Sequence, residues 1–212
     1  MRTYESPVFQ TAPDWDAVPV GKIDCFQWEA VVPFRPKSFF QCCFVRGGGV
    51  LARLWSLEPQ PRAVCTRRDD PVYEDSCLEV FFQPFPDLGY LNVEMNPQGV
   101  FLAEVGTGRE NRVLLKDLTA AEPVVTPFSV PGGWGAELCL PCVLLTEAFG
   151  RPFTAAPGQY RGNFYKCGDK TPAPHYGSFA PMRSNPPGFH DPDCFATLCL
   201  KEERYGITEK NR

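Results

Sequence analysis

Glu79 sits in Cys77-Leu78-Glu79-Val80-Phe81-Phe82, a run that is otherwise apolar. An acid is kept in such a run where it is paired or faces a polar site. Glu94 falls on the next apolar run, where it can face Glu79, and two carboxyl groups flanking a sugar are the raw material of glycoside hydrolysis. Other chemistry-bearing residues are sparse. Nucleophilic catalysis needs a base beside the nucleophile, usually histidine. The chain has 2 histidines, His175 in Pro-His-Tyr and His190 in Phe-His-Asp, and neither lies in a catalytic signature. Gly47-Gly48-Gly49 leads into a strand-like run, so it is not a phosphate loop, and there is no Gly-x-Ser-x-Gly elbow.

Cys139-Leu140-Pro141-Cys142 has the spacing of a metal or redox pair. A structural zinc site wants a second such pair or two closely spaced histidines, and the sequence offers neither. The 10 cysteines therefore read as small buried apolar residues in a reducing compartment, and no metal ligand is assigned. Asp69-Asp70 and Asp191–Asp193 could hold a structural calcium through oxygen ligands, although exposed turns use the same residues. No other cofactor is called for.

The elements that must position these residues are short strands. The 23 prolines and 18 glycines are spread along the whole chain, which punctuates many short elements and disfavours a helical bundle. Period-two alternation predicts strands at Lys22–Trp28, Phe39–Arg46, Val50–Ser56, Cys77–Gln83, Leu91–Asn96, Val100–Val105, Val124–Val130, Trp134–Leu140, Gln159–Cys167 and Phe195–Lys201. Pro141–Phe149, with Gly150 as its stop, predicts a helix of one or two turns. The long loop Thr171–Asp193 carries both histidines. About ten strands with one or two short helices imply one all-β domain over residues 1–212, an antiparallel sandwich of two packed sheets.

Net charge is −4 and the pI about 5.3, which lacks the positive field that nucleic-acid binding needs. The Met1–Pro7 start has no apolar run of a secretory signal, and no stretch reaches the roughly 20 apolar residues of a membrane span. A cytoplasmic protein is expected, without nucleic-acid or membrane partners. The sequence sets no oligomeric state.

One ordered constellation is more specific. Pro71-Val72-Tyr73-Glu74-Asp75-Ser76-Cys77-Leu78-Glu79-Val80-Phe81-Phe82 is followed by Tyr90–Asn96, Pro97 and Gly99. Trp134-Gly135-Ala136-Glu137-Leu138, then Tyr160-Arg161-Gly162-Asn163-Phe164-Tyr165-Lys166, and finally the stretch from Phe189-His190 to Leu198 come later in the same order. This series resembles the carbohydrate-binding module family 9-like domains over roughly Trp15 to Lys201. The resemblance implies a β-sandwich related to jelly rolls and immunoglobulin-like domains. It also implies a non-catalytic role, with a mono- or oligosaccharide held between two aromatic rings.

Carried over residue by residue, Tyr73 (six positions before Glu79) and Phe179 take the places of the rings, where the family has tryptophans. Polar contacts fall on Glu79, Asn96 and Asn163; Arg68 and Arg161 are added from position alone. Asn96, just before Pro97, also fits a turn former, and His190 an anchor for the last strand. A pyranose has an apolar C–H face for a ring and hydroxyls for Glu and Asn, and one aromatic contact contributes about 0.5–1.5 kcal/mol beyond area burial. Two other classes stay open. One is a cytosolic sensor or interaction domain that has lost sugar binding, and the other an enzyme acting through Glu79 and a second carboxylate.

Overall fold

Alternating side chains resolve into thirteen strands and one α-helix in the computed structural model, which describes residues 2–28, 34–184 and 187–202. The strands are β1 (Thr3–Phe9), β2 (Gly21–Ile23), β3 (Ser38–Val45), β4 (Gly49–Ser56), β5 (Cys77–Gln83), β6 (Tyr90–Met95) and β7 (Phe101–Gly106). Then follow β8 (Val113–Leu114), β9 (Val124–Val130), β10 (Gly133–Pro141), helix α1 (Cys142–Phe149), β11 (Gly158–Cys167), β12 (Tyr176–Ser178) and β13 (Ala196–Glu202). Their hydrogen-bonded order is β8-β7-β6-β5-β11-β13-β1-β3-β4-β10-β9, with β12 on β11 and β2 on β3.

Nine of these strands lie where the alternation predicts them, the strand predicted at Lys22–Trp28 shares only Lys22 and Ile23 with β2, and the fold is the expected β-sandwich. All pairings are antiparallel except those of β1, which runs parallel to both β13 and β3. β1 buries Tyr4, Ser6 and Val8 on alternate positions. The Tyr4 hydroxyl donates to the Pro19 carbonyl at 2.6 Å and accepts from the Cys42 amide at 3.0 Å, which ties the strand to its neighbours. Helix α1 stops at Gly150, whose φ of 61° places it in the left-handed region glycine adopts at little cost. The β3–β4 hairpin is equally tight: a Cβ on Gly49 would lie 2.1 Å from the Leu140 carbonyl oxygen.

The sheet curls so that β5, β6 and β11 lie over β3, β4 and β10. Between them sits the main core, where Phe40 of β3 stacks on Phe164 of β11 at 3.7 Å and Phe44 meets Phe82 of β5 edge-on. Each such side chain contributes about 1.5–3 kcal/mol when fully buried. β5 is buried on both faces, because a second apolar cluster of Cys77, Phe81, Tyr90, Tyr165, Cys167, Phe189 and Phe195 covers its far side. Period two sends Leu78, Val80 and Phe82 to the main core and Cys77, Glu79 and Phe81 to that far side. The acid in the greasy run thus belongs to a different face from most of its neighbours.

On the main-core side the sandwich holds a buried polar cluster. The fully buried Lys166 ammonium lies 3.2 Å from Glu58 and donates to His175 Nε2 at 2.6 Å and to the Cys167 carbonyl at 2.8 Å. Glu58 also accepts from Trp134 Nε1 at 2.9 Å and Ser76 Oγ at 2.8 Å. Burial pushes the Glu58 carboxyl up, but Lys166 and these two donors hold it below the ordinary range. Such a pair fixes geometry more surely than it adds stability.

Candidate functional site

The far face of β5, β6 and β11 forms the floor of a cavity of about 300 Å³, at the small end of ligand sites. Register brings the floor residues together. Glu79 pairs with Glu94 across β5–β6 and with Tyr165 across β5–β11, and Cys77 pairs with Cys167. Loops and short elements build the walls. Tyr73 comes from the 3-10 turn Val72–Glu74, Asp169 from the loop after β11, Tyr176 from β12, and Phe189 and His190 from the segment before β13. The Asp169 amide donates to the Tyr73 carbonyl at 3.0 Å, so two walls are tied to each other. Trp28 buttresses a third: its ring meets Tyr176 edge-on at 6.1 Å and Phe189 at 5.9 Å.

Glu79 is 2 % and Glu94 4 % exposed, and neither carboxyl has a lysine or arginine partner among the described residues. Glu79 Oε1 accepts from the Cys167 thiol at 2.9 Å. Glu94 Oε1 accepts from Asn92 Nδ2 at 2.9 Å, while its Oε2 is buried with no hydrogen-bond partner among the described residues. Burial, reinforced by neighbouring acids, pushes both carboxyls above the usual range, Glu94 to about 8. With its pKa at about 8 the Glu94 carboxyl keeps its proton at neutral pH, and it can then both donate and accept a hydrogen bond.

Arg112 and Arg109 add cationic groups to the lining, with Arg112 beside Glu94 through Asn92. Arg112, 5 % exposed at its side chain, lies 3.3 Å from Glu104, donates to the Gly108 and Glu104 carbonyls and to Asn92 Oδ1, and covers the Tyr90 ring. His190 Nδ1 lies 2.9 Å from the Tyr90 hydroxyl. Burial, then Arg112 and Arg109, lowers the His190 pKa to about 3, so its imidazole is neutral. His190 does hold the approach to the last strand by a hydrogen bond, and it also faces the cavity.

Of the residues singled out in the sequence, Tyr73 and Glu79 line this cavity, and Tyr73 is 39 % exposed. The other five lie elsewhere. Phe179 is packed in the main core against Phe40 and Tyr4, so it cannot be a wall ring. Asn96 is fully buried and shapes its own turn: Oδ1 accepts from the Gln98 and Val100 amides, and Nδ2 donates to the Cys65 carbonyl and Asp75. Asn163, also fully buried, spends its amide on Ala180 and Phe164. Arg68 is paired with Glu122 and Asp69 and covers Phe101. Arg161 donates to the Pro192 carbonyl beside a separate hollow lined by Gln83 and Tyr160.

Besides Tyr73, the aromatic rings in the lining are Tyr176 and Phe189. Register on β11 matches Tyr176 to Cys167 and Ser178 to Tyr165, which turns Tyr176 to the cavity face and leaves Phe179 for the core. The signal was present as a second ring three residues earlier, but choosing between them needs the β11–β12 register. Arg112 and Asp169 carried no local signal.

The other motifs have structural roles. All 10 cysteines are free thiols, Cys139 and Cys142 half-buried where β10 runs into α1. Asp69 is paired with Lys116 at 2.7 Å, Asp70 accepts from the Thr66 and Arg67 amides, and Asp191 accepts from the Asp193 amide.

The fold recurs in solved structures. A protein from Bacteroides uniformis ATCC 8492, described as carbohydrate-binding, superposes with a TM-score of 0.79 at 24% identity, covering 94% of this chain and 99% of that one. Family 9 carbohydrate-binding modules from Caldicellulosiruptor kristjanssonii superpose at lower identity. The one in complex with glucose gives a TM-score of 0.64 at 11% identity over 96% of this chain and 99% of that one. The one with cellotriose gives 0.63 at 12% over 100% and 97%. No curated protein matches the chain. The model of carbohydrate-binding family 9 matches residues 9–124 and 140–200, most of the strands and all the cavity floor, and the chain belongs to that family.

Proposed function

We propose that this chain is a non-catalytic domain that binds a neutral mono- or short oligosaccharide in the cavity floored by Glu79 and Glu94. The observation that carries this reading is the presence in one lining of two tyrosine rings, Tyr73 and Tyr176, and two buried carboxyl groups with which no lysine or arginine pairs among the described residues. A ring offers the apolar face a pyranose stacks on, and a protonated carboxyl offers a donor and an acceptor to vicinal hydroxyls. The unpartnered Glu94 Oε2 gains most, because a buried polar atom without a bond costs about 1–3 kcal/mol. Family membership and the sugar-bound relatives support the same ligand class.

Hydrolysis by two carboxyls needs one held protonated and the other ionised. Here Glu79 and Glu94 are pushed in the same direction, which favours recognition over turnover. Tyrosines and a few hydrogen bonds point to a dissociation constant of roughly micromolar to millimolar, about −4 to −8 kcal/mol. Calorimetric titration with glucose, cello-oligosaccharides and other hexoses tests the reading. Saturable binding that Glu79→Ala abolishes in a folded protein is expected. A blank across the panel would instead favour an interaction domain that keeps the sandwich without the sugar.

A further inference from the structure

At the floor of the cavity two thiols that sugar recognition does not need stand beside Glu79. Cys77 and Cys167 are cross-strand partners on β5 and β11, and Glu79 follows two residues along β5 on the same face. One ligand atom from each, two thiol sulfurs and a carboxylate oxygen, lie within 4.8 Å of one another, and all three residues are buried. The Cys167 sulfur is already 2.9 Å from Glu79 Oε1. In a tetrahedral zinc site, bonds of about 2.0–2.3 Å put neighbouring ligand atoms roughly 3.3–3.8 Å apart. The three atoms thus need little more than side-chain adjustment to close around an ion.

Three further observations point the same way. The ligands stand on paired central strands, which hold a site more rigidly than loops do. The adjacent Glu94 lines the same cavity and has its buried Oε2 without a hydrogen bond, and no lysine or arginine pairs with either carboxyl among the described residues. Glu79 and Cys167 line the cavity whereas Cys77 does not, which leaves the Glu79–Cys167 side open for a fourth ligand. Two thiolates with one carboxylate select a borderline-soft ion over calcium or magnesium.

We propose that Cys77, Cys167 and Glu79 form a binding site for a divalent cation of the zinc class, with water from the cavity as the fourth ligand. On loading, each thiol releases its proton to solvent and Glu79 binds as its carboxylate. No electron is transferred. The site shares Glu79 with the proposed sugar site but does not rest on that reading: cobalt is titrated without sugar and sugar in the presence of a chelator, so either can fail without the other.

Cobalt(II) reports the site on the full, reduced chain. The expected result is one thiolate-to-cobalt charge-transfer band with tetrahedral ligand-field bands, reaching saturation at one ion per chain and displaced by zinc. Cys77→Ser and Cys167→Ser should each weaken cobalt binding by at least about tenfold, the lower range for disturbing a metal site. Cys139→Ser with Cys142→Ser should leave the spectrum unchanged. Mass-spectrometric mapping of alkylation on the unaltered chain serves if a variant fails to fold: bound zinc should protect Cys77 and Cys167 selectively. Absence of the thiolate band at saturating cobalt, its loss with the Cys139/Cys142 pair instead, or a Cys77–Cys167 disulfide that persists after reduction would overturn the proposal.

Discussion

Acidification should expose the buried histidine as a stability switch. His175 is fully buried; its Nε2 accepts from Lys166 at 2.6 Å and its Nδ1 donates to the Ala173 carbonyl at 2.8 Å. Burial first, then the Lys166 charge, lowers its pKa from 6.5 to about 4. In the unfolded chain the imidazole takes a proton near the ordinary value, whereas in the folded protein it stays neutral to about 4. The stability His175 contributes is therefore complete above pH 6.5 and is lost as pH falls toward 4.

Each pH unit across that interval is worth 1.36 kcal/mol, so the loss is about 2 kcal/mol at pH 5 and about 3 kcal/mol by pH 4. The whole protein shows a blend. His190 acts in the same direction, while Glu79 and Glu94 act oppositely, because their raised values give stability present below the ordinary carboxyl range and lost as pH rises through them, for Glu94 toward about 8. Comparison with His175→Gln isolates the one residue. Guanidinium unfolding of both proteins at pH 7 and pH 5 should show the stability advantage of the unaltered chain shrinking by about 2 kcal/mol. An advantage that stays constant across that range would refute the reasoning.

Tyr176→Ala should weaken sugar binding by about tenfold or more in calorimetry, the loss of one ring contact, whereas Tyr176→Phe keeps most of it. Phe179→Ala should cost about 3–5 kcal/mol in denaturant unfolding yet leave sugar affinity of the folded protein within about twofold, since that ring packs in the core. Asp75→Ala should destabilise by about 3–5 kcal/mol, because its buried carboxylate accepts from the Val64 and Cys65 amides and from Asn96 and lies 3.3 Å from Arg62. In the metal-free protein, Glu94→Gln should flatten the loss of stability that the raised Glu94 pKa predicts for the unaltered chain between about pH 5 and pH 8.

Strand positions were legible because the main core reads one residue in two along nearly every strand, as in Leu78, Val80 and Phe82. β1 was not, since its parallel partners β13 and β3 are far away in sequence and a strand of Thr, Tyr, Glu, Ser, Pro, Val and Phe is only half apolar. The floor of the site was readable for a related reason. Glu79 broke an apolar run, and Glu94 could be set against it by counting along two adjacent strands. The walls were not readable, because Tyr176, Asp169 and His190 come from separate segments whose meeting depends on tertiary packing. Phe179 and Asn163 show the converse error: each residue type suits a sugar, but burial had already committed them to the core and to backbone amides.

A crystal structure of the protein with glucose is the most direct test that the cavity is the sugar site. The account requires a pyranose ring lying against Tyr73 or Tyr176, with a hydroxyl within hydrogen-bond distance of Glu79 or Glu94. An ordered sugar seated instead at the Gln83–Arg161 hollow, with the Glu79 cavity empty, would contradict it.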